Sequence, residues 1–185
     1  KCDDDFDGND TNGYVDFDLT TKTNEVLGTQ TGINITYHTL QNEAELGQNS
    51  INTIYTNNRI IYVRLTNNST GCFVLNQFNL IVNPLPVVKT VSIVQCDDDT
   101  DGFSDFNLTV KNNEISSNAT AETFTYYTSL AGAETADIGK LISDPLAFTN
   151  TTSGGMPVWT RVTNSNGCYN TAAIDLIVST TQIPA

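Results

Sequence analysis

Basic residues are scarce in this chain. Eight Lys and Arg stand against 21 Asp and Glu in 185 residues, for a formal charge of −13. Nucleic-acid phosphates and anionic lipid are held through clustered Lys and Arg, so this balance excludes both as partners. No apolar run reaches the ~18 residues that a bilayer crossing needs, and the opening residues lack the layout of a secretory signal. A single histidine, His38, is present. With it alone, and with no G-x-S-x-G elbow or phosphate loop, no catalytic constellation is legible, and the chain reads as a non-enzyme. His38 lies on an expected strand opposite Tyr127 in the internal alignment below, which favours a structural or exposed role. Asn, Thr and Ser take the place of Lys and Glu, a composition that disfavours helix interiors and suits strands and turns.

What is present is a repeat. Cys2-Asp3-Asp4-Asp5-Phe6-Asp7-Gly8 recurs as Cys96-Asp97-Asp98-Asp99-Thr100-Asp101-Gly102, and Asp16-Phe17-Asp18-Leu19-Thr20 as Asp105-Phe106-Asn107-Leu108-Thr109. Thr36-Tyr37 recurs as Thr125-Tyr126, Arg64-Leu65-Thr66-Asn67 as Arg161-Val162-Thr163-Asn164, and Gly71-Cys72-Phe73 as Gly167-Cys168-Tyr169. Matches in constant order define a unit the size of a small sandwich domain. The expected division is 1–84 and 85–185. The segment Val82 to Val88 carries Pro84 and Pro86 and reads as a short, semi-rigid joint. The first copy has no counterpart of Val91 to Gln95, as expected of a copy truncated at its start.

Asn34–Leu40, Arg59–Asn67 and Phe73–Val82 in the first copy, with Thr123–Leu130, Pro157–Asn164 and Tyr169–Val178 in the second, read as strands. Ile61, Val63 and Leu65 alternate with Tyr62, Arg64 and Thr66, and Val158, Thr160 and Val162 with Trp159, Arg161 and Thr163. Gln41–Leu46 and Ala131–Ile138 read as helices too short to stand alone. Short strands separated by turns predict an all-β protein, two tandem Ig-like antiparallel β-sandwiches.

Each copy holds two cysteines at matched spacing, and parity with repeat logic predicts Cys2–Cys72 and Cys96–Cys168 bridges. Free buried thiols are the competing reading, and zinc is a weaker one, because the chain lacks closely spaced ligand pairs. Disulfides imply an oxidising compartment: the periplasm, the cell surface or the medium.

Twelve acids crowd into two short segments, where mutual repulsion costs free energy unless a cation is bound. Asp3-x-Asp5-x-Asp7-Gly8 and Asp97-x-Asp99-x-Asp101-Gly102 have the D-x-D-x-D-G spacing of calcium loops. There, alternate side chains of a curved loop converge on one hard cation and glycine permits the turn. The twelfth loop positions, Tyr14 and Leu108, are not the Glu of an EF-hand. Asp16 and Asp105 are the candidate later ligands, and an insertion around Asn9 to Asn12 adds Asp10 to the first set. A solvated acidic turn without an ion is the alternative. Bound calcium is expected to stiffen the domain joint. Tyr62 and Arg64, with Trp159 and Arg161, form a repeated aromatic and cationic face. It is read as Arg lying over a ring on a surface strand, with a ligand platform as the alternative.

The series Cys-Asp-Asp…Asp-Gly…Phe-x-Leu-Thr, Thr-Tyr-(His/Tyr)-Thr and Arg-x-Thr-Asn…Gly-Cys-(Phe/Tyr) resembles repeats in giant surface proteins of Bacteroidetes, type IX secretion cargo that includes gliding-motility adhesins. The resemblance implies export to the cell surface and calcium at Asp3, Asp5, Asp7, Asp97, Asp99 and Asp101. It also implies a stalk or cell-adhesion role for a monomer whose partners are neighbouring repeats of its own chain. A glycan- or protein-binding module, in which exposed aromatics stack on sugar rings, and an accessory domain of a secreted enzyme are the alternatives.

Overall fold

Alternating side chains build the larger sheet in each half of the chain. The computed structural model describes residues 1–180, and the chain divides into two units, Lys1–Pro84 and Leu85–Ala185. The first unit runs β1 (Val15–Asp18), α1 (Thr23–Leu27), β2 (Ile33–His38), α2 (Gln41–Leu46), β3 (Thr53–Thr56), β4 (Arg59–Asn67) and β5 (Phe73–Leu80). Its sheets are β1-β3 and β2-β4-β5. Ile61 and Val63 of β4 are buried and pack with Val15, Phe17, Leu19 and Tyr37 between the sheets.

The second unit runs β6 (Val91–Cys96), β7 (Asp105–Phe106), α3 (Asn112–Ile115), β8 (Thr123–Tyr127), α4 (Leu130–Thr135), β9 (Phe148–Thr149), β10 (Gly155–Thr163) and β11 (Tyr169–Ser179). Its sheets are β7-β9 and β6-β11-β10-β8. Val158, Thr160 and Val162 of β10 face inward and are fully buried, and the Thr160 hydroxyl donates to the Thr125 carbonyl at 3.2 Å. Both units are all-β sandwiches of the Ig-like type. Among the described residues no helix is long and apolar enough to cross a membrane.

One pairing departs from the antiparallel expectation: β6 runs parallel to β11, Val91 opposite Ile174 through to Cys96 opposite Ser179. A parallel pair needs a long connection between its strands. Here the rest of the domain supplies it, because β6 and β11 are its first and last strands. In the first unit an isolated parallel bridge, Cys2 with Asn83, occupies the corresponding place.

Four predicted strands overran at their ends, β5 stopping at Leu80 rather than Val82 and β10 at Thr163 rather than Asn164. β2 and β8 stop at His38 and Tyr127, because Leu40 and Ser129 are extended residues opening α2 and α4. Ser129 Oγ accepts from the Gly132 N–H at 3.1 Å, the usual N-cap arrangement. The predicted helix Ala131–Ile138 ends at Thr135, where Ala136 turns left-handed at φ 54°, and a 3-10 turn, Ile138–Lys140, follows.

The expected joint is tied down on both sides. Val82 is buried in the first core and its N–H donates to Asn58 Oδ1 at 2.7 Å, while Val88 packs on the second core and the Pro86 carbonyl accepts from Asn170.

Candidate metal centre and cysteine positions

The loop after β6 brings three carboxylates together. Asp97, Asp99 and Asp101 each offer an oxygen within 4.8 Å of the others. Two oxygens bound to one calcium at 2.3–2.6 Å can be at most about 5.2 Å apart, so this spread fits one ion. Asp97 is 5% exposed. Its Oδ2 accepts from the Gly102 N–H at 3.0 Å, and its Oδ1 is buried without a hydrogen-bond partner. A buried, unpartnered carboxylate oxygen is costly unless a cation meets it.

The backbone enforces this loop. Thr100 and Gly102 both have positive φ, 66° and 84°. A Cβ on Gly102 would stand 2.1 Å from Ser153 Oγ and 3.0 Å from the Gly154 nitrogen, so only glycine fits. Asn150, buried at 2% exposure, clamps the loop from the neighbouring turn. Its Oδ1 accepts from the Ser104 N–H at 2.8 Å, and its amide donates to the carbonyls of Gly102 at 3.0 Å and Thr152 at 2.7 Å. Repeat comparison does not find Asn150, because strand register places Thr56 at the equivalent point of the first unit. Asp105 stands apart from the triad: it lies on β7, and its carboxylate accepts from the Thr149 hydroxyl.

The first loop is built differently. Asp3 is equally buried, but its Oδ1 accepts from the Asp4 N–H at 3.1 Å and its Oδ2 from the Gly13 N–H at 2.8 Å. Gly13, not Gly8, therefore plays the part of Gly102, and the inserted residues lie inside the closed loop. Asn12 then holds the place of Asp101: its Oδ1 accepts from the Tyr14 N–H as Asp101 Oδ1 accepts from the Phe103 N–H. Asp7 is drawn aside, accepting from the Tyr55 hydroxyl, the Asn12 amide and the Asn9 N–H. The Tyr55 hydrogen bond is the main cause of its carboxyl lying below the ordinary value. Among the described residues Asp97, Asp99 and Asp101 form the one such cluster; Asp3, Asp5, Asp7, Asp10 and Asp16 are not brought together.

Cys2 and Cys168 are disulfide-bonded, whereas Cys72 and Cys96 carry free, exposed thiols. Neither Cys2–Cys72 nor Cys96–Cys168 is therefore formed. The physical reason is strand length. Cys72 immediately precedes β5, and Cys2 sits beside Asn83 beyond the far end of that strand; Cys168 precedes β11, and Cys96 sits beside Ser179 at its far end. Eleven residues of extended chain span about 35 Å, and a disulfide needs Cα atoms within about 7 Å. Equal spacing showed that the cysteines repeat, but could not give their connectivity.

Arg64 and Arg161 are both used internally. Arg64 lies 3.5 Å over the Phe73 ring and donates to the Ala44 and Glu45 carbonyls of α2 at 2.9 and 2.7 Å. Arg161 lies 3.2 Å over the Tyr169 ring and donates to the Ala133 and Glu134 carbonyls of α4 at 3.0 and 2.8 Å. The rings are the diagonal cross-strand neighbours rather than Tyr62 or Trp159. Tyr62 borders a shallow hollow of about 250 Å³ with Gln41, Leu75 and Gln77. Trp159 is half-buried on β10 opposite Tyr127 and Ala173. His38 is fully buried; its Nδ1 meets the Gln48 carbonyl at 2.8 Å, so that nitrogen donates, and Nε2 is hydrogen-bonded with the Thr36 hydroxyl at 2.8 Å.

The profile described as the Flavobacterium inter-domain disulphide bond domain matches the sequence twice, over residues 1–86 and 92–184, and the chain belongs to this family. Among solved structures, human mucin-like protocadherin EC1-2 is 14% identical, over 82% of this chain and 86% of that one, with a TM-score of 0.30. The human desmocollin-1 ectodomain is 9% identical, over 80% of this chain and 34% of that one, with a TM-score of 0.28. The bradyzoite-specific antigen BSR4 from Toxoplasma gondii is 7% identical, over 86% and 69%, with a TM-score of 0.21. Similarity at this level carries no argument about what the chain binds. A comparison with curated proteins finds no match.

Proposed function

We propose that this pair of Flavobacterium inter-domain disulphide bond domains is a calcium-stabilised, non-enzymatic spacer of a bacterial surface protein, its repeats covalently joined through Cys2 and Cys168. Two disulfide-bonded cysteines, one in each unit, with the other two free, support that pairing, and the family's description is in keeping with it. A disulfide persists only in an oxidising compartment, which supports a place at the cell surface or outside the cell.

The observation that carries the calcium reading is the convergence of Asp97, Asp99 and Asp101, one of which, Asp97, keeps a buried and unpartnered Oδ1. Like charges at 4 Å repel by about 1 kcal/mol in bulk water and more where water is excluded, and a divalent cation reverses that sign. Asp97, Asp99 and Asp101 would hold the ion, with water or backbone oxygens completing its shell. The extender reading is favoured over a ligand platform because Arg64 and Arg161 spend their donors on helices of their own repeats. Membership of a type IX secretion cargo or gliding-motility adhesin follows from the sequence resemblance alone and is part of the proposal.

Calorimetry with calcium tests the site: one ion per chain is expected in the wild type, and none in Asp97→Asn. Thermal unfolding separates the two roles of Asp97. Without calcium, Asp97→Asn is expected to be as stable as the wild type or more so, since a buried charge is removed. With calcium, only the wild type gains stability, by a shift that grows with concentration. Wild-type protein that takes up no ion in millimolar calcium overturns the reading. Small-angle scattering with and without chelator tests whether the ion stiffens the spacer; an unchanged distance distribution counts against that part.

A further inference from the structure

The last strand of each repeat is flanked differently. In the second unit β11 lies between β10 and β6, whereas among the described residues β5 of the first unit pairs with β4 alone. The parallel bridges set the correspondence. Cys96 stands opposite Ser179 as Cys2 stands opposite Asn83. Ile174, Asp175, Leu176 and Ile177, which carry Val91 to Val94, therefore answer to Phe78, Asn79, Leu80 and Ile81. The Ile81 carbonyl accepts from the Lys1 nitrogen at 2.9 Å, and the Asn83 N–H donates to the Lys1 carbonyl at 2.8 Å, so both residues face the outer edge. Strand alternation turns the Asn79 N–H and carbonyl the same way.

Two hollows follow this edge. One, of about 310 Å³, lies between residues 78–81 and residues 17–19, with Phe17, Leu19, Phe78 and Leu80 as its apolar wall. The other, of about 290 Å³, is lined by Val26, Val63 and Phe78 beside Glu25 and Asn76. In the second unit the same path is filled. Ile93, 6% exposed, shares a core with Phe106, Leu108 and Leu176, the counterparts of Phe17, Leu19 and Leu80. Val88 and Val91 pack on that core, and the Lys89 N–H donates to the Ile115 carbonyl at 2.9 Å. Ile115 is fully buried, whereas Val26, its counterpart, is only half-buried.

We infer that the β5 edge of the first repeat is a docking slot for an extended segment of a partner chain. The segment runs parallel to β5 and carries β-branched apolar residues at alternate positions, as Val91 and Ile93 do in β6. The sister repeat fixes both the direction and the side-chain pattern, because it holds such a strand in the same place. An unpaired edge is a template for a further strand. Main-chain hydrogen bonds at Asn79 and the Ile81 N–H supply affinity, and the two hollows, which take alternate side chains, supply selectivity.

A labelled peptide with the sequence of residues 88–94 of this chain is the probe. It is titrated into the full chain and followed by fluorescence anisotropy, and hydrogen–deuterium exchange locates it. The expected result is saturable binding with slowed amide exchange at residues 78–81. Ile93→Asp in the peptide is expected to weaken binding at least about tenfold, because it puts a charge into the apolar hollow. No saturable binding, binding that Ile93→Asp leaves unchanged, or slowed exchange confined to other residues overturns the inference.

Discussion

At the residue scale, the loop that holds the acidic triad depends on a side chain without carboxylate character. Asn150 supplies three hydrogen bonds to backbone groups of the loop and the turn beside it. A lost hydrogen bond that strands a buried backbone group costs about 1–3 kcal/mol. Asn150→Ala is therefore expected to destabilise the second repeat by about 2–3 kcal/mol in urea denaturation, and to weaken calcium uptake because the Asp97 loop loses its support. Asn150→Asp, nearly identical in shape, keeps the acceptor for Ser104 but loses both donated bonds, and is expected to fall close to the alanine variant. The chain's local pattern offers no sign of this role: an Asn among Thr, Ser and Gly reads as an ordinary turn residue.

At the element scale, α2 and α4 have six residues each, too few to persist without tertiary support. The carbonyls of a helix's last turn lack intrahelical partners and carry its partial negative charge. Arg64 and Arg161 meet those carbonyls from the facing sheet, with Phe73 and Tyr169 flattening each guanidinium from the other side. Hydrogen bonds to a charged donor contribute about 1.5–3 kcal/mol. Arg161→Ala is expected to cost about 2–3 kcal/mol in equilibrium unfolding. Arg161→Lys should recover less than half of that, since an ammonium lacks the planar face that stacks on the Tyr169 ring while donating to both carbonyls. The alternation of β4 and β10 was legible because one face is buried in each. The two-to-four-residue strands β1, β3, β7 and β9 were not, because so few residues show no period and the pairing partner comes from far along the chain.

At the scale of the whole molecule, the pH range of stability has an edge set by each repeat. Tyr126 is buried and donates to Asn112 Oδ1 at 2.6 Å; burial is the main reason its hydroxyl lies above the ordinary tyrosine value. A raised folded-state value means that the neutral form is favoured in the fold. Its contribution is fully present below pH about 10 and is lost as pH rises through the raised value. At the acid edge, the Thr20 hydroxyl and N–H hold Asp18 below the ordinary carboxyl value, where it caps the 3-10 turn Leu19–Lys22. That contribution is present above pH about 4 and is lost as pH falls through the lowered value. Denaturation midpoints against pH should therefore show a plateau between these limits. Tyr126→Phe is expected to flatten the alkaline edge, and Asp18→Ala part of the acid edge.

The sequence by itself determined the repeat, the strand-rich composition, the boundaries of β4 and the start of both returning strands, because these rest on local period and on self-similarity. It also marked Asp97, Asp99 and Asp101, since calcium spacing is a property of consecutive residues. Only the tertiary structure decided that the first loop closes on Gly13 with Asn12 in the place of Asp101, and that Tyr55 holds Asp7 aside. Only it, too, set the cysteines of each repeat at opposite ends of a strand, beyond the reach of one bond. Spacing along a chain fixes which residues recur; distance across a folded sheet fixes which of them can meet.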